Sequence, residues 1–191
     1  IGTCENEGFM VASMIVPTLF DPNISVETIE TIFKNEMMRR YPNLPSYMRD
    51  AQAREAVRAY VQDTRVNGLI EAGSLFVGDS FVAWPTYAFA LSLSGKRTCT
   101  YSIYCPNSWS LPIPPLVESL EGNTFYYELK HRPSISRRPD FIGTDHADDL
   151  TLMTGAQHTG KLGLLPIELS NEDKIVADTM FNAWSNFAIF G

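Results

Sequence analysis

The sequence predicts an α/β fold in which helices outnumber strands. Apolar residues recur at helical spacing in residues 25–40 and 46–63, and again after residue 171. Apolar and polar residues alternate over residues 124–130, a pattern typical of a strand. Hydrophobic residues make up 45% of the chain, a globular composition that excludes a disordered tail.

The first forty residues are expected to hold the end of a strand, an apolar segment and a helix. Residues 2–8 form a short apolar start that runs into an acidic turn closed by glycine. Residues 9–20 are apolar and broken at Pro17, which predicts core packing with a minor role in lining a pocket. Ser25 is suited to cap the following helix, which ends before Pro42.

Further helices are predicted on both sides of the strand. Residues 46–63 form one helix, and residues 68–94 form two helical pieces around Gly78 and Asp79. Asp79 could be a second catalytic carboxylate, but a helix cap is the preferred interpretation. The last helix is predicted to begin with Asn171 as N-cap. Its apolar stripe is expected to be core and consists of Ile175, Val176, Met180, Trp184 and Phe187.

A histidine in a polar loop is the main candidate for chemistry. His146 follows the predicted strand and stands between small residues and carboxylates, where a histidine can act as a general base near pH 7. It needs a carboxylate to hold its tautomer, and Glu7 in the acidic turn is the candidate, with Glu5 as a competitor. His131 and His158 are expected to be structural.

Composition argues against several classes of partner. The net charge is −7 with only 15 basic residues, and the pairs at residues 39–40 and 137–138 are too sparse for nucleic-acid binding. No apolar run is long enough for a membrane span. A metal site at His146 with Asp145, Asp148 and Asp149 is not expected, because zinc normally takes several His or Cys ligands. No cofactor is expected.

Four motifs in order carry a resemblance to a known family. They are GTCENEG at residues 2–8, TFYYELKHRPS at 124–134, GTDHADDL at 143–150 and WSNFAIFG at 184–191. With these motifs the chain resembles the C-terminal part of type B carboxylesterases, a family that includes cholinesterases, liver-type carboxylesterases and the non-catalytic neuroligins. The order of Glu7 before His146 agrees with the Ser, Glu, His order of α/β-hydrolase triads.

The resemblance implies the fold and the site. Residues 1–191 would be a partial α/β-hydrolase domain cut at both ends, mostly helices with the last strands of the central sheet, and would not be stable alone. Glu7 would be the acid and His146 the base of the triad. Ala147 departs from the family pattern, which usually has glycine there.

One segment has no counterpart in the family pattern. Residues 96–121 are expected to be an insertion, and the proline-rich run at 111–115 predicts a surface loop or a recognition segment. Cys99 and Cys105 could close a small loop there, with Cys4 left free or paired elsewhere. Three buried thiols are the alternative.

The implied function is a serine-type carboxylic-ester hydrolase acting on a small-molecule ester through an acyl-enzyme. No Gly-x-Ser-x-Gly sequence occurs in the chain, so the nucleophile and oxyanion donors would lie in the N-terminal remainder of the domain, and the chain alone would be inactive. The alternative is a catalytically inactive, neuroligin-like adhesion or ligand-binding protein. The resemblance further implies secretion or an ER-luminal location, where the sequon at Asn23 could be used, and a possible homo-oligomer.

Overall fold

Helices dominate the observed architecture, and the strands are few and short. The computed structural model describes residues 1–63, 66, 68–94 and 123–190. The predicted insertion at 96–121, with Cys99 and Cys105, lies outside the described residues. The prediction of a mostly helical α/β chain is confirmed at this coarse level, and it is compatible with part of an α/β-hydrolase.

Two short parallel strands join the beginning of the chain to its last third. β1 (Gly2–Cys4) pairs with β2 (Tyr127–Leu129), in a register that sets Thr3 opposite Glu128. The predicted strand at 124–130 is therefore shorter than its alternation suggested. A separate antiparallel pair, β3 (Lys161–Leu162) and β4 (Leu165–Pro166), was not predicted.

Of the first three helices, α2 and α3 follow their predicted bounds, whereas α1 lies in the apolar segment for which no helix was predicted. Their bounds are α1 Gly8–Ile15, α2 Val26–Arg40 and α3 Ser46–Val61, with a 3₁₀ turn at Pro17–Phe20. The Ser25 hydroxyl accepts a hydrogen bond from the Thr28 backbone N–H at 3.2 Å, which confirms the predicted N-cap of α2.

The two predicted helical pieces after residue 68 are joined by a wider turn. α4 (Leu69–Gly78) leads through a π-helical segment, Asp79–Ala83, into α5 (Trp84–Leu93). The Asp79 carboxylate accepts a hydrogen bond from the Tyr60 hydroxyl at 2.6 Å and does not cap a helix N-terminus, so the preferred interpretation was wrong in detail. Its role is to bind α3 to the end of α4.

The larger core is built from helices alone. Phe33 stacks on Phe76 with ring centroids 3.6 Å apart, which locks α2 against α4. The buried members of this cluster are Ala12, Leu19, Ile29, Ile32, Phe33, Ala53, Ala56, Phe76 and Val77.

A smaller core lies under the parallel strands. Two further helices are α6 (Asp148–Met153) and α7 (Ala156–Thr159), and the long α8 spans Asn171–Phe190. The four buried apolar residues of this cluster are Cys4, Leu129, Leu152 and Ala177. The strands, α6 and α8 therefore form a second packing unit beside the helical core.

The apolar stripe of α8 only partly faces this core. Val176 and Met180 pack against the cluster, whereas Ile175 is 66% exposed and Trp184 and Phe187 are also exposed. The prediction of a fully core-facing stripe was therefore wrong for Ile175, because the face that the strands and α6 cover is centred on Ala177. Trp184 packs edge to face on Tyr127 of β2, with ring centroids 5.8 Å apart, but the described part of the chain leaves it and Phe187 partly exposed. No helix among the described residues is long and apolar enough to cross a membrane.

The start of α8 is fixed by a buried carboxylate. The prediction of Asn171 as N-cap was wrong, because Asn171 is the first helical residue and Ser170 is the cap. The Ser170 hydroxyl accepts a hydrogen bond from the Asp173 N–H, and Asp173 accepts one from the Ser170 N–H, both at 3.0 Å. Asp173 also binds His131 Nε2 at 2.7 Å and the Ser134 hydroxyl and N–H. Burial opposes ionisation of Asp173, but these hydrogen bonds outweigh it and lower its pKa to about 2.

Two glycines allow α1 and α4 to touch through their backbones. A Cβ atom on Gly78 would lie 2.6 Å from the Gly8 nitrogen, and one on Gly8 would lie 1.6 Å from the Ser74 carbonyl oxygen. No other residue fits at either position without moving a helix. Because Gly8 follows Glu7 directly, this contact also sets the position of the Glu7 backbone.

We expect Gly78→Ala to destabilise the full-length protein. A glycine in a helix interior normally costs about 1 kcal/mol relative to alanine, so the substitution would be stabilising in an open helix. Here the new methyl group meets backbone, and overpacking should lower the free energy of unfolding by about 2 kcal/mol. Chemical denaturation measures the change. Ser13→Ala on exposed α1 surface is the control, and unchanged stability of Gly78→Ala would contradict the contact.

We expect Asp173→Asn to reduce stability in a pH-dependent way. A carboxyl whose pKa is lower in the folded state than its ordinary 3.8 stabilises the fold above about pH 4, and this contribution is lost as the pH falls towards 2. At pH 7 the variant should lose about 1–2 kcal/mol, and the gap to the wild type should narrow from pH 5 to pH 3. Denaturation at each pH tests this. Asp178→Asn, at an exposed carboxylate of the same helix, should show no such convergence.

Candidate active site

The two predicted site segments meet at the ends of the parallel strands. Beyond β1, the Glu5 N–H donates to the Leu129 carbonyl and the Asn6 N–H donates to the Thr144 carbonyl, each at 2.9 Å. Asn6 and Asp145 form an isolated parallel bridge. The chain after β1 is thus paired first with β2 and then with the histidine loop, which brings residues 7 and 146 side by side.

Glu7 and His146 are hydrogen bonded to each other. Glu7 Oε2 lies 2.6 Å from His146 Nδ1, and the Glu7 side chain is 5% exposed whereas that of His146 is 39% exposed. The second Glu7 oxygen accepts a hydrogen bond from the Cys4 backbone N–H. Glu5, the competing carboxylate, is exposed and makes no hydrogen bond to His146.

The hydrogen bond at Nδ1 leaves the other ring nitrogen of His146, Nε2, available. When Nδ1–H donates to the Glu7 carboxylate, the lone pair of the neutral ring is at Nε2. His146 Nε2 makes no hydrogen bond with any residue that the structure describes. The pair can therefore accept a proton at Nε2 while the carboxylate stabilises the resulting imidazolium.

The turn after His146 has a left-handed backbone. Ala147 has φ 71° and ψ 6°, the one positive φ at a non-glycine residue in the described chain. This region costs a residue with a Cβ roughly 1–2 kcal/mol, which explains why the family pattern has glycine at this position. The methyl group of Ala147 removes no functional atom from the site.

Arg138 is the residue that sequence reasoning missed. Its guanidinium lies 2.5 Å from Asp145 Oδ2 and 2.8 Å from Asp148 Oδ1, and it donates to the His146 carbonyl at 3.3 Å. The pair at residues 137–138 was considered only as a nucleic-acid contact. Residues 145–149 contain three aspartates, and buried carboxylates need a nearby cation. This requirement is the sequence signal that could have indicated Arg138.

The acidic residues of the histidine loop are all engaged. Asp148 begins α6, and its Oδ2 accepts a hydrogen bond from the Asp145 N–H at 2.9 Å. Asp149 accepts one from the Tyr127 hydroxyl at 2.8 Å. Burial of Tyr127 and its bond to Asp149 raise the pKa of the Tyr127 hydroxyl. Burial also raises the pKa of Asp145, against the opposing effects of the His146 N–H and Arg138.

Within the described residues no group of His, Cys, Asp and Glu is arranged to hold a metal ion. Cys4 is a free, buried thiol, and burial raises its pKa to about 12, so it does not supply a thiolate.

A second cluster of Ser, His and Asp does not have the geometry of a catalytic triad. In the His131, Ser134 and Asp173 cluster the carboxylate stands between the other two, and the Ser134 hydroxyl donates to Asp173. Within the described ranges, no imidazole nitrogen is placed to take the proton of Ser134. His158 lies on the surface, 3.4 Å from Asp178.

Comparison with known proteins finds two hydrolases and one neuroligin that are similar to parts of this chain. Carboxylesterase 5A of Mus musculus is 31% identical over 72 residues, which cover 37% of this chain and 12% of the mouse protein. Acylcarnitine hydrolase of Rattus norvegicus is 30% identical over 69 residues, or 35% of this chain and 12% of that protein. Neuroligin-2 of Homo sapiens is 22% identical over 99 residues, half of this chain and 12% of that protein.

The matched stretches therefore span about an eighth of the length of these relatives. The family comparison extends further along the chain, because a model described as the carboxylesterase family matches residues 1–191. The match includes the strands, the acidic turn and the histidine loop that bring Glu7 and His146 together. The chain belongs to the carboxylesterase family.

Proposed function

We propose that the protein is a serine-type carboxylic-ester hydrolase in which Glu7 and His146 are the acid and the base of the triad. The observation that carries the proposal is the 2.6 Å contact between Glu7 Oε2 and His146 Nδ1, with Nε2 free of protein partners among the described residues. Nothing in this arrangement requires a cofactor. The substrate is expected to be a small-molecule ester, in keeping with the family.

The nucleophile is proposed to come from another part of the same α/β-hydrolase domain. The chain contains no Gly-x-Ser-x-Gly sequence, and among the described residues β1 and β2 form a parallel pair of only two strands. Parallel sheets are normally covered on both faces and contain more strands. A larger domain around this chain is also supported by exposed apolar side chains, which are Trp184 and Phe187 in α8 and Phe125 two residues before β2.

The proposed chemistry follows the serine-hydrolase scheme. His146 Nε2 takes the proton of the serine hydroxyl as the oxygen attacks the ester carbonyl, and then delivers that proton to the departing alcohol. Water repeats the cycle on the acyl-enzyme. The Glu7 carboxylate holds the imidazole in the tautomer with the proton on Nδ1.

A second candidate is a binding protein with the same fold and no turnover. The similarity to human neuroligin-2 over half of the chain favours this alternative. Such a protein would keep the Glu7 and His146 contact as part of its packing. A homo-oligomer is proposed for either function from the family alone.

Labelling with a fluorophosphonate, which bonds to an activated serine, tests the proposed hydrolase. The full-length wild type should be labelled and should hydrolyse simple esters. His146→Ala removes the base and Glu7→Gln removes the carboxylate that fixes its tautomer. Each should slow labelling and kcat by roughly a thousandfold or more. Glu5→Gln, at the exposed neighbouring carboxylate, is the matched control and should behave like the wild type.

A folded full-length protein that is neither labelled nor active would favour the binding function. Labelling of Glu7→Gln and His146→Ala at the wild-type rate would remove these residues from the mechanism. The isolated chain of 191 residues should show no turnover above a denatured control.

We further propose that the protein enters the secretory pathway, as the family resemblance implies. Asn23 is exposed in the turn before α2, and it stands two residues before the capping Ser25. Protein expressed in animal cells should lose mass on treatment with a peptide N-glycosidase, and Asn23→Gln should abolish that shift. Ser25→Thr keeps both the sequon and a capping hydroxyl and should remain modified. Unmodified wild-type protein in the culture medium would contradict glycosylation at Asn23.

A further inference from the structure

The two neighbouring arginines before the histidine loop have opposite environments. Arg137 is exposed and makes no hydrogen bond or ion pair within the described chain, whereas the Arg138 side chain is 23% exposed and makes several. The chain therefore turns one basic side chain outward and the next into the site.

Arg138 uses each of its nitrogen atoms for a different contact. Nε meets Asp145 at 2.5 Å, one terminal nitrogen meets Asp148 at 2.8 Å, and the other donates to the His146 carbonyl oxygen at 3.3 Å. The last nitrogen also lies 3.8 Å from the sulfur of Met10 in α1. The planar guanidinium thus contacts the residue before His146, the His146 backbone itself and the second residue after it.

The same cluster reaches the segment that carries the acid. Asp145 Oδ2, which binds Arg138, also accepts a hydrogen bond from the Met10 N–H at 3.0 Å. Met10 is in the first turn of α1, which begins directly after Glu7. The hydrogen bond from Met10 to Asp145 therefore links the segment after Glu7 to the histidine loop without the Glu7 and His146 contact, and Arg138 binds the Asp145 oxygen that makes this link.

Two buried carboxylates share this one guanidinium. Asp145 has no exposed surface and Asp148 is also buried, and Asp145 Oδ1 has no hydrogen-bond partner in the part of the chain that the structure describes. Without Arg138 these two buried carboxylates would lose the cation that compensates them. The turn that holds His146 would also lose the guanidinium contacts to Asp145, Asp148 and the His146 carbonyl.

We propose that Arg138 is a positioning residue that holds the His146 ring in register with Glu7. This inference rests on the proposed function, since it assigns Arg138 a part in presenting the base to the serine. Arg138 touches neither the imidazole ring nor the reacting atoms. It acts through the backbone of the loop and through the contact of Asp145 with α1.

Three variants of the full-length protein separate the contributions. Arg138→Gln removes the positive charge and the planar set of N–H donors of the guanidinium. Arg138→Lys keeps a positive charge beside Asp145 and Asp148, so that the protein folds, but a single ammonium cannot reproduce the three-way contact. Arg137→Gln, at the exposed neighbour, is the matched control.

The primary measurement is steady-state ester hydrolysis. A misplaced base lowers kcat without weakening substrate binding, so we expect Arg138→Gln and Arg138→Lys to lose roughly 10- to 100-fold in kcat with KM within about twofold of the wild type. Arg137→Gln should match the wild type in both constants. A cooperative thermal unfolding transition is the control that checks that Arg138→Lys is folded.

A second readout is independent of activity. The proton between His146 Nδ1 and Glu7 should give a low-field NMR resonance, which is identified by its absence in His146→Ala. It should persist in the wild type and in Arg137→Gln and be lost or broadened by exchange in both Arg138 variants.

The outcomes distinguish the two proposals. Wild-type kcat and an unchanged resonance in Arg138→Lys and Arg138→Gln would overturn the positioning role and leave the proposed hydrolase intact. A wild type that is inactive, but whose resonance depends on Arg138, would refute the hydrolase and support the positioning role. Loss of kcat and of the resonance in both Arg138 variants supports both.

Discussion

The pairing of the segment after β1 with two other parts of the chain is the constraint on which the site depends. Glu5 bonds to the end of β2 and Asn6 bonds to the histidine loop, so three segments are held in register by backbone hydrogen bonds. Backbone pairing of this kind fixes position without requiring particular side chains. The Glu7 carboxylate then needs only a short reach to His146 Nδ1.

Buried carboxylates are concentrated around this junction, and each is held by a different set of partners. Glu7 is held by His146 and a backbone N–H, Asp145 and Asp148 share Arg138, and Asp173 is bound by serines and a histidine. Removing one partner of a buried ion pair typically costs about 3–5 kcal/mol, because the remaining charge is uncompensated. Both packing and these buried charge contacts therefore oppose movement of the segments that form the site. The tight Gly8 and Gly78 crossing adds a steric limit on the same segment.

Sequence patterns predicted the local structure better than the long-range contacts. Helical periodicity and the Ser25 cap located α2 and α3, because those signals depend on neighbours within a few residues. The same reasoning failed for the outer residues of α8, since which face is covered depends on the placement of the strands and α6. The Glu7 and His146 pair was predicted from family motifs, and Arg138 was missed because its partners lie seven and ten residues further along the chain, where no periodic pattern connects them.

The separation between Glu7 and His146 along the chain has a consequence for synthesis. The two residues are 139 positions apart, and β1 cannot pair with β2 until residues 127–129 have been made. Closing so long a loop is slow and entropically unfavourable, so the segment that holds Glu7 lacks this pairing while most of the chain leaves the ribosome. Glu7 cannot meet His146 before the histidine loop emerges. The junction of these segments is therefore completed late in the synthesis of this chain.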